Sequence, residues 1–505
     1  MSRSIKCSVF FLVLGSVLII LGCVLIPVFH NMIHDEIKTQ IPLKVGSKSY
    51  NAWLDPPVPI YFQVWVFDLV NPLEVTQQGA TPAVIQKGPY SYREHRQKVN
   101  ITFFDNGTVA YREKRSFTFD REMSVGPEND TFTTVNLPMI TIAELIRFEY
   151  GWLQEFVDAL LEAAGDAELF LELSIADILW GYEDALLKTV KGIAEKFNHT
   201  LPDEFGLFYN TNGSDDGVYT IFTGSDVQGV EKFNLIDKWN SKTSLGYWNT
   251  ALCDMINGTD GTMFPPFIEK SEKLFIFSTD ICRSIYATYE SEIKLKGIDL
   301  YHFTVPPRVF ETASLNENNA GFCSPAGNCL PSGVLNISVC KSGAPVVISN
   351  PHFLQADKKV IDGVIGMHPN KEEHQTVLDV DPLTGVVMNA QKKLQLNAYL
   401  QKVNNFKSTE NIKDVFFPIM WLNESALIDD KSANEYKSSL MTPIKITQAV
   451  QYGLIVIGAF LFICALAFLI KHKMAHKKAD VLVDIPNERL TNDRLPTERT
   501  NLIQS

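Results

Sequence analysis

The sequence predicts an α+β fold in which a mostly antiparallel β body, capped by helices, is anchored by two transmembrane helices. Two uncharged apolar runs near the ends of the 505 residues predict the anchors. Short alternating runs between them predict β-strands, and one block with helical spacing predicts the cap. The net charge of -13 gives no support to a nucleic-acid partner, because phosphate binding needs a basic face.

The two apolar runs cover residues 8–29 and 452–470, and neither contains a charged residue. A charge at the bilayer centre costs about 2.5–3.5 kcal/mol, so uncharged runs of this length are typical of transmembrane helices. A cleaved signal peptide is the alternative for the first run. That run is long for a signal peptide, and no clear small-x-small cleavage site follows it, which favours a retained anchor.

Basic residues beyond the two runs predict their orientation, because cytosolic flanks are enriched in Lys and Arg. These residues are Arg3, Lys6, Lys471, Lys473, Lys477 and Lys478. We therefore expect a cytosolic tail at residues 1–7, a lumenal ectodomain at residues 30–451 and a second cytosolic tail at residues 471–505.

Glycosylation sequons and cysteines agree with this topology. All eight sequons lie in the predicted ectodomain, at Asn100, Asn106, Asn129, Asn198, Asn212, Asn257, Asn336 and Asn423. Five of the eight cysteines lie there too, and an oxidising lumen favours disulfides. Five thiols allow about fifteen arrangements of two bridges and one free thiol, which the residues alone leave open.

The periodicity of the ectodomain changes at a helical block, residues 138–200. Before and after it, runs such as 60–70, 217–222, 274–277, 346–349 and 394–400 alternate like strands. Within it, apolar residues recur at helical spacing and predict an amphipathic helix over 144–164 and a second helix over 174–196.

Many ordered stretches of the ectodomain resemble the class B scavenger receptors. They include VFDLVNP from residue 66, GPYSYRE from 88, ILWGYED from 178, CDMINGTDG from 253, NPHFLQAD from 350 and LDVDPLTG from 378. The segment 319–340 is most similar to the lysosomal branch of this family. The resemblance implies an antiparallel β-barrel-like ectodomain with an internal tunnel, and an apical helical bundle within residues 138–200.

The resemblance also implies the disulfide pairing. Cys282 would pair with Cys340 and Cys323 with Cys329, which leaves Cys253 as a free thiol. On the chain-entropy model the two loops contribute roughly 4 and roughly 2 kcal/mol, respectively, before strain.

The lysosomal resemblance implies a sorting receptor that binds the glucosylceramide-cleaving hydrolase β-glucocerebrosidase at neutral pH and releases it in acid. Our candidate docking residues are Trp152, Phe156, Leu160 and Leu161, although burial against the bundle is the simpler interpretation of an apolar stripe. The helix over 144–164 contains no histidine, which departs from the family pattern. Our candidate pH sensors are its crowded carboxylates, Glu149, Glu155, Asp158 and Glu162, with His199 as a weaker candidate.

A sorting motif near the C-terminus fits the acidic dileucine pattern that clathrin adaptor complexes bind. It consists of Glu498, Leu502 and Ile503 in a polar, Pro-containing tail that we expect to be disordered. The pattern alone is weak, because Glu231 with Leu235 and Ile236 also fits it inside the predicted lumen.

No catalytic motif is present in the ectodomain, so we predict a receptor without enzymatic activity and without a cofactor. The spacing of His352, His368 and His374 fits no established zinc pattern. The alternative function is a receptor and conduit for cholesterol or phospholipid through the tunnel. The sequence leaves open whether the chain forms a homodimer.

Overall fold

Two long helices contain the apolar runs that the sequence predicts to cross a membrane. A computed structural model describes residues 3–164, 168–185, 187, 188, 191, 204–341 and 343–483. Helices α1 (Arg3–Gln40) and α10 (Thr442–Val483) extend beyond the predicted spans at both ends. Both are long and apolar enough to cross a bilayer.

The parts of α1 and α10 within Met1–Asp35 and Ser438–Ser505 form one compact unit. Their backbones come close at Gly15, where an added Cβ would lie 2.7 Å from the carbonyl oxygen of Gly458. The side-chain amide of Gln451 donates to the carbonyl of Leu25 at 3.1 Å. Small residues and an interhelical hydrogen bond are the usual means of helix packing in membranes.

The second unit is Glu36–Lys437. Its helices with described bounds are α2 (Lys48–Leu54), α3 (Pro72–Gln78), α4 (Leu137–Leu145), α5 (Gly151–Ala164), α6 (Ile175–Trp180), α7 (Lys358–Ile361), α8 (Lys371–His374) and α9 (Asp430–Tyr436). Its strands are β1 (Ile60–Leu69), β2 (Val84–Phe104), β3 (Thr108–Asp120), β4 (Thr131–Val135), β5 (Phe170–Ser174), β6 (Tyr182–Glu183), β7 (Glu204–Phe205), β8 (Val218–Phe222), β9 (Ile236–Trp239), β10 (Lys273–Ser278), β11 (Arg283–Leu295), β12 (Ile298–Thr304), β13 (Val334–Asn336), β14 (Val346–Ser349), β15 (Val377–Val380), β16 (Val387–Leu400) and β17 (Val415–Leu427).

The large sheet is antiparallel and nearly closed. Its strands follow the order β10-β11-β12-β15-β16-β17-β1-β2-β3-β8-β9, and β14 pairs with both β13 and β16. The two ends are joined through one connecting segment, because Ile236 donates to the carbonyl of Gly258 and Phe277 donates to the carbonyl of Thr259, both at 2.9 Å. This closure confirms the predicted α+β class with an antiparallel β-barrel-like body.

The first part of the helical block, which contains α4 and α5, is inserted between two paired strands, β4 and β5. The prediction of one helix over 144–164 is wrong, because α4 ends at Leu145 and α5 begins at Gly151. The side-chain amide of Gln154 donates to the carbonyls of Ile146, Arg147 and Glu149, and so satisfies backbone groups that the break exposes.

The prediction of a second helix over 174–196 is wrong as a continuous helix, because the chain leaves the helical conformation after Trp180 and only the described residues 185, 187, 188 and 191 are helical again. Ser174 and Asp177 form a capping box at the start of α6. The helix ends at Gly181, whose φ of +127° is one that glycine adopts without a steric penalty. Tyr182 and Glu183 then pair as strand β6 with β7, and Lys196 lies outside the described residues.

Candidate functional site

An apolar cavity of about 360 Å³ is lined by strands of the large sheet. Its walls come mainly from β1, β2, β10, β11, β15, β16 and β17. The apolar lining includes Ile60, Ile276, Ile285, Met388 and Leu394. A cavity of this volume and character is typical of sites for small apolar ligands.

One wall of the cavity contains buried ion pairs. We name the ion-pair cluster as Glu94, Arg96, Lys98, Glu113, Arg115, Asp280, Lys392 and Glu424. Glu94 Oε1 accepts from Arg96 Nε at 2.8 Å and from Arg115 Nε at 2.9 Å. Glu424 pairs with both arginines through their Nη2 atoms. Two carboxylates therefore hold two guanidinium groups in place.

The charges of the cluster are mutually stabilised. Burial alone would raise the pKa of Glu113, but the charges of Lys98 and Arg96 outweigh burial and lower that pKa to about 2. Burial would likewise raise the pKa of Asp280, but Lys392 and Arg115 hold it well below its usual range. Both carboxylates therefore stay ionised at neutral and at mildly acidic pH.

A second cavity of about 90 Å³ shares part of its lining with the first. Arg96, Lys392 and Glu424 line both cavities, so the ion-pair cluster lies where the two linings meet. The smaller cavity is more polar in its lining, which includes Asp216, Asp280 and Thr279.

Two of the three histidines, His352 and His374, are buried neutral rings, and the exposed ring of His368 lies beside His352 with centroids 6.5 Å apart. His352 and His374 stack with ring centroids 4.4 Å apart, and His352 Nε2 lies 2.7 Å from Gln86 Oε1. Burial lowers the pKa of His352 to about 3 and that of His374 to about 4. These rings therefore stay neutral at pH 5 and are unsuited to sense mild acid. The described residues contain no group of three or more side chains placed to hold a metal ion.

Helix α5 and the turn before it expose a cluster of aromatic rings. We name the aromatic patch as Phe148, Tyr150, Trp152 and Phe156. The exposed fractions are 91% for Phe148, 67% for Trp152 and 55% for Phe156. Exposed aromatic clusters of this kind are typical of protein-binding surfaces. Phe148 lies within the helix predicted over 144–164, but the helix break that exposes it was not visible in the periodicity.

The other two candidate docking residues are Leu160 and Leu161, and Leu161 is not exposed on the protein surface. Its side chain is 1% exposed, because Gln154, Asp158 and Leu161 follow helical spacing and form the buried face of α5. Leu160 is half-buried. The structure therefore removes Leu161 from the candidate docking set and leaves Trp152 and Phe156 as its most exposed members.

The candidate pH-sensing carboxylates fall into different environments. Glu149 and Glu155 are exposed, and Glu162 pairs with Lys407 Nζ at 2.6 Å. Asp158 is buried and accepts from the backbone amide of Lys407 at 3.3 Å.

Burial is the main reason why the pKa of Asp158 is raised. The hydrogen bond from Lys407 opposes the rise, and the nearby charge of Glu162 adds to it. Sequence reasoning missed Glu144, whose pKa burial also raises although Arg147 pairs with it at 3.1 Å. Burial therefore raises the pKa values of these carboxylates more than their crowding does. The sequence periodicity gives no information on this burial.

Comparison with known proteins decides the family. Residues 13–469 match the CD36 family. Lysosome membrane protein 2 of Mus musculus is 41% identical over 435 residues, which are 86% of this chain and 88% of the relative. Lysosome membrane protein 2 of Homo sapiens is also 41% identical, over the same shares. Scavenger receptor class B member 1 of Cricetulus griseus is 35% identical over 465 residues, 91% of this chain and 88% of the relative.

The chain belongs to the CD36 family. This membership confirms the resemblance to class B scavenger receptors, and the match is to a family of receptors rather than to a catalytic family. Within this member of the CD36 family, the structure contains the disulfides Cys282–Cys340 and Cys323–Cys329. Cys253 is a buried free thiol.

The sequons of this CD36-family chain differ in accessibility. Asn100, Asn106, Asn129 and Asn212 are exposed, and Asn257, Asn336 and Asn423 are half-buried. Asn423 lies inside strand β17 with a buried amide oxygen, which makes it the least suitable acceptor. Asn198, His199 and the sorting motif Glu498, Leu502 and Ile503 lie outside the described residues.

Proposed function

We propose that this chain is a sorting receptor of the lysosomal membrane that binds β-glucocerebrosidase at neutral pH and releases it in acid. The aromatic patch is the observation that supports a protein partner most directly, because two of its rings are more than half exposed on one helix. The similarity to proteins named Lysosome membrane protein 2 supports the compartment. Both termini would lie in the cytosol, with residues 30–451 in the lumen.

Acid release requires carboxylates whose pKa lies above its ordinary range, so that they become protonated in mild acid. Burial raises the pKa of Asp158 and of Glu144 in the free receptor. If the partner needs these groups ionised, the affinity falls as the pH drops from neutral through the raised pKa values. Asp158 is therefore the preferred sensor among the four candidates, and Glu144 joins it.

The docking surface is tested with the full-length protein in detergent and purified β-glucocerebrosidase. Trp152→Asp and Phe156→Asp should each weaken binding at pH 7 by about 30-fold or more, as expected for a hot-spot aromatic residue. Leu315→Asp is the matched control, since Leu315 is an exposed apolar residue outside the helical block. Unchanged binding in both patch variants would exclude the patch as the docking surface.

The pH dependence is tested by repeating the binding at pH 5. Wild-type protein should release the hydrolase, whereas Asp158→Asn should show a smaller difference in affinity between pH 7 and pH 5. Glu155→Gln, on the exposed face of the same helix, is the control. Equal affinity of the wild type at both pH values would remove acid release from the proposal.

The route to the lysosome is proposed to depend on clathrin adaptor complexes that bind Glu498, Leu502 and Ile503. Leu502→Ala combined with Ile503→Ala should leave the protein at the cell surface, measured by surface biotinylation. Leu495→Ala, in the same tail but outside the motif, is the control. Lysosomal residence of the double variant would contradict the assignment.

The cavity supports a second candidate function, a receptor for cholesterol or phospholipid. An apolar space of about 360 Å³ within the sheet provides a site for a lipid chain. Ala390→Phe and Ala426→Phe would each place a ring in this space, and the amount of lipid that co-purifies should fall. Leu427→Phe, on an exposed neighbouring position, is the control. The patch variants should leave lipid binding intact, which separates the two functions.

A further inference from the structure

The hairpin formed by β2 and β3 closes in a three-residue loop with a glycine in the left-handed conformation. Phe104 and Thr108 are the last cross-strand pair, and the amide of Gly107 donates to the carbonyl of Phe104 at 3.1 Å. Gly107 has a φ of +78°, which this type of loop requires at its third position. The side-chain amide of Gln228 donates to the carbonyl of Asn106 at 3.0 Å, so the loop is held in one arrangement.

Three side chains of this loop share one face of the hairpin. Phe104 and Thr108 are directly opposite each other, so their side chains lie on the same face. Oδ1 of Asn106 accepts from the hydroxyl of Thr108 at 2.7 Å and from its backbone amide at 3.2 Å. Asn106 therefore lies on that face as well. Its Nδ2, the atom that a sequon offers for glycosylation, donates no hydrogen bond to any of the described residues.

The ring of Phe104 is an exposed apolar surface beside this asparagine. It is 48% exposed, whereas Thr108 on the same face is 2% exposed. Phe103, one residue earlier, lies on the opposite face, and its ring is 6.1 Å from that of Tyr50. No aromatic ring among the described residues packs against Phe104, so its face is available to a group attached at Asn106.

None of the other described sequons has an exposed aromatic ring two residues before its asparagine. Trp421 precedes Asn423 by two residues, but both lie inside strand β17 and the ring of Trp421 is 5% exposed. Asn212 is exposed, yet its Nδ2 donates to the carbonyl of Phe117 at 3.2 Å. The combination of a tight loop, an available Nδ2 and an exposed ring therefore distinguishes Asn106.

We infer that Asn106 carries an N-linked glycan whose first N-acetylglucosamine stacks on the ring of Phe104 and stabilises the closed hairpin. Glycosylation forms a bond between Nδ2 and C1 of this sugar, breaks the bond between C1 and a lipid-linked diphosphate donor, and releases one amide proton. The C–H groups of the sugar would contact the electron-rich face of the ring and bury part of it. The inference rests on the lumenal placement proposed for residues 30–451, and it is independent of hydrolase and lipid binding.

The inference is tested on full-length protein from cells in which the oligosaccharide transferase is partly inhibited. Such cells make molecules with and without the sugar at Asn106, and the mass of the peptide that contains it distinguishes the two. Hydrogen exchange of residues 102–110 is then followed in detergent. The amides should exchange about threefold or more faster without the sugar, as expected when a closed hairpin loses a contact comparable to an aromatic pair.

Two neighbouring phenylalanines make the test specific to one face. Phe104→Ala should remove the difference in exchange between the two glycoforms, whereas Phe104→Tyr should retain it. Phe103→Ala is the matched control, since Phe103 is also exposed but lies on the opposite face, and it should retain the difference. Trimming the glycan to its first sugar with an endoglycosidase should also leave the slow exchange intact.

The contrary outcomes separate this inference from the topology. If the two wild-type glycoforms exchange equally, or if the difference survives in Phe104→Ala, the sugar does not stack on this ring and the inference falls. If Asn106 carries no glycan while other sequons do, the inference falls and the lumenal placement stands. If no sequon is occupied without the inhibitor, the lumenal placement fails as well.

Discussion

The interior of the large sheet and helix α5 place charged and aromatic side chains in opposite ways. In the sheet interior, Glu94 is buried, Arg96 is half-buried, and each is held by several partners at once. On α5, Trp152 and Phe156 are exposed, and among the described residues the buried carboxylate Asp158 has one hydrogen-bond donor, the backbone amide of Lys407. The interior thus stabilises charge through pairing, whereas the helix exposes apolar surface that a partner could bury.

This difference between the two regions indicates which proposed function each region would serve. The paired carboxylates of the sheet interior have lowered pKa values, as Glu113 shows, so their charges do not change between neutral and mildly acidic pH. The raised pKa of Asp158 instead makes the helix responsive to acid. A receptor that releases a protein in acid while retaining a lipid cavity would need this division.

The largest expected effect tests the pairing in the interior. Glu94→Gln removes one of the two carboxylates that pair with both Arg96 and Arg115 and leaves the ion-pair cluster with an uncompensated positive charge, so it should destabilise the protein by about 3–5 kcal/mol. Thermal unfolding of the full-length protein measures the change. Asp120→Asn, which removes the partner of the exposed Arg93, should have a clearly smaller effect, because water screens this pair. Equal effects of the two variants would contradict the comparison.

The sequence predicted the fold class because strands and transmembrane helices have local signals. Alternation predicted β1, β8, β10 and β14 nearly at their observed positions, and the second half of β16. The ion-pair cluster has no such signal, because Glu94 and Glu424 are far apart in the chain and meet only in the closed sheet. The cavity was implied by family resemblance and not by periodicity.

The helix insertion shows a different limit of sequence reasoning. The apolar stripe on α5 was visible, but a stripe does not say which residues face the rest of the protein. At the break before Gly151, the side chain of Gln154 bonds three carbonyls of the preceding turn. Phe148 is exposed at this break and Leu161 is buried on α5, and neither outcome follows from local propensity.

A smaller effect tests the two faces of α5 directly. Leu161→Ala should destabilise the protein by about 3 kcal/mol, because it opens a cavity at a fully buried position. Leu160→Ala, one residue earlier and half-buried, should cost less than about 1.5 kcal/mol. Thermal unfolding of both variants in parallel provides the comparison. A larger loss in Leu160→Ala would mean that the buried face has been assigned wrongly.

The smallest effect tests the acid-responsive carboxylate. Asp158 has a raised pKa in the folded protein, so its ionised form is destabilising at neutral pH, and this destabilisation disappears as the pH falls through that pKa. Asp158→Asn should therefore be more stable than the wild type at pH 7, by about 1 kcal/mol or less, and the advantage should vanish in acid. The asparagine oxygen still accepts from the backbone amide of Lys407. If the stability of Asp158→Asn relative to the wild type instead increased as the pH fell, the fold would stabilise the ionised form of Asp158. The carboxylate on α5 would then behave like those of the sheet interior.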